Sequence, residues 1–250
     1  LAETDGEMVS GYYFYDFNAK MNFNFDDKNK LFVSGYFGKD KFYGKDFTGD
    51  GDFKFKLGWG NATATTRWNH LFGAKLFSNL SLIFSDYKFQ IKQEEDYDGS
   101  TYFLNYYTGI RDLGVKYDFD YRPNNKHIIK TGLQSTWHYF TPKALVEKDS
   151  DFDVDTRDIA HISSAENAVY IEDDMHLAEP LRINAGIRFT QFYSDKKNYM
   201  HIEPRIAASL NVGKMSSIKA SYAIMNQYIH QLSNSGIGLP TDLWVPSTDV

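Results

Sequence analysis

The chain has no cysteine in 250 residues, which removes disulfide frameworks, thiolate metal sites and cysteine nucleophiles together. It also lacks any uninterrupted apolar stretch of about 18 residues, so a helical membrane span is excluded. Positive charge is in deficit: 27 Lys and Arg against 33 Asp and Glu leave a net charge of −6, and no basic patch suited to phosphate backbones is present, so nucleic acid is not an expected partner. Seven His residues are scattered with no His-Glu-x-x-His pair, and there is no Gly-x-Ser-x-Gly elbow, Walker loop or dinucleotide fingerprint. No catalytic residue, metal site or cofactor is therefore expected. The sequence opens at Leu1 without an initiator Met or signal segment and stops at Val250 after an irregular Pro-containing stretch, which suggests an internal piece of a longer protein.

Aromatic residues, by contrast, are abundant: 18 Tyr and 20 Phe bring the aromatic share to 17% with Trp. They sit in long runs of strict alternation. Leu113, Val115, Tyr117, Phe119 and Tyr121 interleave with Asp112, Gly114, Lys116, Asp118 and Asp120. Leu181, Ile183, Ala185, Ile187 and Phe189 interleave with Arg182, Asn184, Gly186, Arg188 and Thr190. A third run pairs Pro204, Ile206, Ala208, Leu210 and Val212 with Glu203, Arg205, Ala207, Ser209 and Asn211. A period of two gives one apolar and one polar face, the mark of a strand between two different solvents. Each run is roughly nine residues or more, enough to cross a bilayer as a tilted strand, and aromatic girdles are what such barrels place at both interfaces.

Breakers and periodic runs together predict about ten strands, at 12–25, 31–42, 54–69, 80–92, 106–121, 127–140, 164–177, 181–194, 200–212 and 217–227. The connections alternate between a mostly tight set (26–30, 70–79, 122–126, 179–180, 213–216) and a mostly long set (43–53, 93–105, 142–163, 195–199 and the tail after 228). Short turns on one side and long loops on the other are characteristic of outer-membrane barrels, with the long loops extracellular. On this phase Leu113, Val115, Tyr117, Phe119, Ile183, Ala185 and Ile187 face lipid. Lys116, Asp118, Glu172, Arg182, Arg188 and Arg205 face a wet or protein-filled lumen, with Glu172 expected near Arg188 across the 179–180 turn.

Ala-Val-Tyr-Ile-Glu-Asp-Asp at 168–174, Leu-Arg-Ile-Asn-Ala-Gly-Ile-Arg-Phe at 181–189, the Glu-Pro-Arg step at 203–205 and Ser-Ile-Lys-Ala-Ser-Tyr at 217–222 resemble the barrel of TonB-dependent outer-membrane receptors. The resemblance implies an all-β fold: an antiparallel transmembrane β-barrel segment, about ten strands of a barrel of about 22. Residues 1–250 would be an internal part of that wall, with the plug domain and C-terminal strands lying outside it. It further implies location in the bacterial outer membrane, contact with its lipid, and a TonB-type energy-coupling protein and the receptor's own plug as partners. Uptake of a scarce small molecule or glycan would follow, a siderophore, haem, cobalamin or glycan, and some members carry a surface lipoprotein.

Trp137, His138 and Tyr139 approach one long connection, His161 leaves it, and Tyr228, His230, Gln231 and Trp244 lie in the tail, so these aromatic and polar groups are the candidates to stack on and hydrogen-bond a ligand. An aromatic girdle claims Tyr and Trp at the same depth. Asp46, Thr48, Asp50 and Gly51 imitate the start of a calcium loop, but Leu57 occupies the place of its bidentate acid. Asp149, Asp151, Asp153 and Asp155 form an acidic ladder that reads as solvated loop charge. The competing reading is a soluble or surface-attached all-β module that binds carbohydrate or adheres, with alternation reflecting one solvated sheet face. Strand length separates the two, since sandwich strands cluster near five or six residues.

Overall fold

The computed structural model describes residues 9–46, 51–97, 99–149, 154–213, 215–234 and 241–247, and every regular element among them is a strand. In chain order these are β1 (Val9–Asn24), β2 (Asn29–Asp46), β3 (Gly51–Gly73), β4 (Leu76–Tyr97), β5 (Ser100–Asn124), β6 (His127–Asp149), β7 (Val154–Ile159), β8 (Ile162–Ala178), β9 (Leu181–Ser194), β10 (Lys197–Val212), β11 (Ser216–Ala223), β12 (Ile229–Asn234) and β13 (Thr241–Pro246). Strands β1 to β6 and β8 to β11 pair in sequence order, antiparallel throughout, with β7 folded back on β6; β12 and β13 form a separate hairpin. β1 and β11 are the unpaired edges of this eleven-stranded sheet, so it is an unclosed barrel wall. From 14 residues in β9 to 25 in β5, the principal strands far exceed the length of sandwich strands, and the soluble-module reading loses its footing.

All ten expected strands are present, but several run further than their alternation. β4 and β5 stay in register up to Tyr97↔Ser100, and β6 continues to Asp149, so much of what reads as long loop is two-stranded ladder. In β4 the alternation ends at Lys92 because Gln93 to Asp96 are polar on both faces. The connection expected at 195–199 is a two-residue turn, Asp195 and Lys196, both at positive φ (46° and 64°), a geometry that matches the twist of a hairpin. β11 stops at Ala223, short of the expected 227, and the tail supplies a hairpin the sequence does not announce. Thr48, Asp50, Asp151 and Asp153 lie outside the described residues; no cluster of metal-ligating side chains occurs among the described ones.

Register fixes the two faces. Lys116 pairs with Gln134, Gln134 with Ala168 and Ala168 with Thr190, and Asp118, Glu172, Arg182, Arg188 and Arg205 fall on the same side. Leu113, Val115, Tyr117, Phe119, Ile183, Ala185 and Ile187 fall on the other. The polar face is concave, because its side chains meet across intervening strands. Tyr170 of β8 donates to Asp118 of β5 at 2.5 Å, and Arg188 of β9 donates to Gln134 of β6 at 3.3 Å. The first contact is made over Gly132 of β6, where an added Cβ would stand 2.9 Å from the Tyr170 ring and 2.8 Å from both Asp118 Oδ1 and the Tyr117 carbonyl. Only glycine leaves room there. The fully buried large side chains, Phe140 and Phe192, belong to the concave face, whereas Leu82, Ile171, Ile187 and Ile206 stand exposed on the convex one.

Candidate functional site

One expected pair is corrected by the register. A bulge between His176 and Ala178 shifts β8 against β9, so Glu172 faces Gly186 and Tyr170 faces Arg188. Glu172 instead lies 3.8 Å from Lys130 Nζ, and Arg188 pairs with Glu166 at 3.6 Å and Glu203 at 3.9 Å. Both nevertheless line one polar cleft of about 390 Å³ with Lys116, Asp118, Tyr170 and Arg205. Lys116 and Asp118 are 3.1 Å apart, and Arg182 grips Asp174 through both Nε and a terminal nitrogen. Such closely matched charge suits a surface covered by water or by another polar protein surface.

Above this cleft, the chain leaves the sheet after Ala223 and turns onto the concave face. Ile224 N donates to the Pro204 carbonyl at 3.0 Å. Glu203, 5% exposed, then accepts from Asn226 N and Nδ2, both at 3.1 Å. This anchor delivers Tyr228 flat against Phe192, with ring centroids 4.8 Å apart at 7°. The Tyr228 hydroxyl lies 2.7 Å from Thr190 Oγ1 and 2.9 Å from His201 Nδ1. Burial holds its phenol above the ordinary value, opposed by the Thr190 hydrogen bond and reinforced by the negative charge of Glu203. The β12–β13 hairpin that follows rests against β5 and β6, and Trp244 meets Tyr87 of β4 edge-on at 6.1 Å. Its indole nitrogen is buried without a hydrogen-bond partner among the described residues.

His138 is the best-positioned of the remaining candidates. It is 4% exposed, its Nδ1 lies 2.7 Å from Asp112, and it faces Ser164, which in turn faces Ser194. His138 Nε2 and both serine hydroxyls make no hydrogen bond among the described residues. An acid, an imidazole and a hydroxyl thus share one row, yet Ser164 does not bond the ring, so the row presents polar groups rather than an activated nucleophile. Trp137, its neighbour in sequence, occupies the convex face and is 42% exposed. Alternation sends adjacent residues to opposite sides, so Trp137 and His138 do not share a face. Exposed His161 lies 3.4 Å from Thr141 Oγ1, His230 Nε2 lies 2.8 Å from Ser247 Oγ in the tail, and Gln231 is exposed. Little in the sequence warns that Glu203 and Phe192 seat the tail; the only signal is an acid beside Pro204 on the polar face.

The family model described as TonB dependent receptor-like, beta-barrel, matches residues 2–224. No curated protein sequence matches significantly. Among solved structures, FpvA of P. aeruginosa bound to heterologous pyoverdines superposes with a TM-score of 0.48 at 9% identity, over 93% of this chain and 42% of that one. BauA, the ferric preacinetobactin receptor from Acinetobacter baumannii, gives 0.47 at 8%, over 98% and 50%. The ferric yersiniabactin uptake receptor FyuA from Yersinia pestis gives 0.41 at 8%, over 88% and 42%. The chain spans half or less of the length of each of these structures. With the family model covering nearly all of the sheet, the chain belongs to the TonB-dependent receptor-like β-barrel family.

Proposed function

We propose that this chain forms part of the outer-membrane wall of an energy-coupled uptake receptor whose solute is a scarce nutrient of the siderophore, haem, cobalamin or glycan kind. The observation that carries this reading is the division of labour between the faces: an apolar convex band, and a concave wall of matched charge onto which the tail hairpin folds. A packed narrow barrel has no room for such an interior, whereas a wide one filled by a plug does. The cleft around Lys116, Asp118, Glu172, Arg188 and Arg205 then faces the receptor's plug domain, supplied by sequence outside residues 1–250. His138, His161, His230, Gln231 and Trp244 serve the capture of solute through their rings and polar groups, while Tyr228, stacked on Phe192 with its hydroxyl partnered by Thr190 and His201, holds the tail that carries the last three of them. A TonB-type protein powers passage, and a surface lipoprotein is an optional partner.

The test is uptake by cells whose own receptors are deleted, expressing the full-length protein and supplied with radioactive iron as catecholate, hydroxamate and haem complexes, and in parallel with labelled cobalamin and oligosaccharides. Accumulation of one class, abolished by deleting the energy-coupling protein, is expected. Accumulation that persists without the coupling protein would contradict the reading and favour a passive pore.

A further inference from the structure

On the convex face, the apolar rows of β2 to β5 end at the level of Phe37, Ala62 and the Asp86–Arg111 pair, which are in register. Directly beyond that line the same face turns basic. Lys39 and Lys88 come two residues further along their strands, Lys41 four, and Lys56 and Lys92 six, the last two facing each other. With about 3.3 Å per residue and a tilt near 40°, the five ammonium-bearing positions occupy roughly the first 5–15 Å above the apolar band.

Three features make this a surface rather than scattered charge. The stems of Lys39, Lys41 and Lys88 lie over glycines of the neighbouring strands: a Cβ added at Gly60, Gly58 or Gly109 would sit 3.4, 3.6 or 3.4 Å from the respective Cγ. The chains are thereby laid along the wall, where a larger neighbour would lift them away. None of the five lysines forms an ion pair among the described residues; Lys41 Nζ lies 5.7 Å above the Tyr13 ring. The nearest convex-face carboxylates are otherwise placed, Asp86 being held by Arg111 at 2.9 Å and Glu94 lying one row higher, opposite Lys54. A chain of net charge −6 has gathered unpaired cations at one height of its lipid-facing side.

We propose that this face docks the phosphate groups of anionic lipids in the leaflet that surrounds the barrel. The partner is a lipid whose acyl chains cover the apolar band while its phosphates lie against Lys39, Lys41, Lys56, Lys88 and Lys92. Charge complementarity and continuity with the lipid-facing band identify it, each lysine near an anionic surface adding appreciably to the attraction. The proposal rests on the membrane-spanning reading above.

The experiment uses the full-length receptor purified in neutral detergent, titrated with fluorescent bis-phosphorylated lipid A, with its dephosphorylated form as comparison. Replacing the five lysines by Gln should weaken binding of the phosphorylated lipid about tenfold or more and leave the dephosphorylated lipid unaffected. Lys20→Gln with Lys30→Gln, both on the concave face, should change neither. Excess inorganic phosphate should fail to displace the lipid; displacement would make the site one for free phosphate and overturn the proposal. Equal affinity of the five-lysine variant and the parent, with the variant still a heat-modifiable barrel in the membrane fraction, would also overturn it while leaving the uptake reading intact. A parent protein absent from the membrane fraction would instead refute the reading on which the proposal stands.

Discussion

Gly132 is the position where the curvature of the wall is most exposed to a single substitution. Gly132→Ala places a methyl group 2.8 Å from Asp118 Oδ1 and from the Tyr117 carbonyl and 2.9 Å from Tyr170 Cε1. The Tyr170 side chain can swing away, but the backbone carbonyl is fixed in the β5–β6 ladder. Displacing the ring loses the Tyr170–Asp118 hydrogen bond, whose carboxylate is only one-fifth exposed. A hydrogen bond to a charged group contributes about 1.5–3 kcal/mol, which partial solvent access reduces to about 1–2. Overpacking against the carbonyl adds about 1–3 kcal/mol, so Gly132→Ala should cost about 2–5 kcal/mol in all. Tyr170→Phe removes the hydrogen bond alone and should cost about 1–2 kcal/mol. In the Tyr170→Ala background the Gly132→Ala penalty should shrink by about 1 kcal/mol, since contacting residues couple. Urea unfolding of the full-length receptor in lipid vesicles, followed by Trp fluorescence, measures the parent and each of these variants. Gly132→Ala unfolding at the parent's midpoint would refute the concave placement of Tyr170, Gly132 and Asp118.

Glu203→Ala should release the segment 224–228, at about 1–3 kcal/mol for the buried acceptor lost, and limited proteolysis between 228 and 247 should accelerate while the sheet remains intact; an unchanged cleavage rate would show that Glu203 is not the anchor. Asp26, in the β1–β2 turn, is held below the ordinary carboxylate value by the Asn29 side chain first and by the Lys28 and Asn29 amides. Its lowered folded pKa means that the turn's stabilisation is present above about pH 4 and is lost as the pH falls through the folded value. Pepsin should therefore nick this turn increasingly toward the lower end of its acid range, and in Asp26→Ala the nicking should lose that pH dependence; equal dependence in both would contradict the assignment. Lys196→Gly, at φ 64°, should raise stability by about 1 kcal/mol by relieving a left-handed non-glycine residue, seen as a higher urea midpoint, and a lower midpoint would contradict it.

The transmembrane rows were legible because a bilayer and a wet lumen impose opposite demands on neighbouring residues. Leu113 to Tyr121 and Leu181 to Phe189 carry that contrast in full, and their faces follow from it. Where β4 rises beyond the band, Lys88 and Lys92 face outward while Phe89 and Ile91 are buried on the concave side, so the sense of the alternation inverts, and past Lys92 the polar run Gln93 to Asp96 gives no strand signal although the ladder continues. Exact pairing is hidden for a different reason. A bulge at one residue, between His176 and Ala178, changes the partners of Glu172 and Arg188 without altering the alternation that locates them on a face. Trp137 and His138 illustrate the site: proximity to a connection was visible, but the face of each residue, and hence which one reaches the interior, depends on the strand passing through both. The tail was least legible, because its placement depends on Glu203 and Phe192, distant partners that no local pattern specifies.

The central claim is that adjacent residues of one strand face lipid and lumen in turn, and an accessibility scan tests it most directly. Single spin labels at positions 113–120 of the full-length receptor in a bilayer should show oxygen accessibility peaking at 113, 115, 117 and 119, with a water-soluble relaxer peaking at 114, 116, 118 and 120 wherever the plug leaves the lumen wet. Oxygen peaks at Val115 and Phe119 with minima at Lys116 and Asp118 are the predicted result. The inverse phase, or a flat profile without period two, would contradict it.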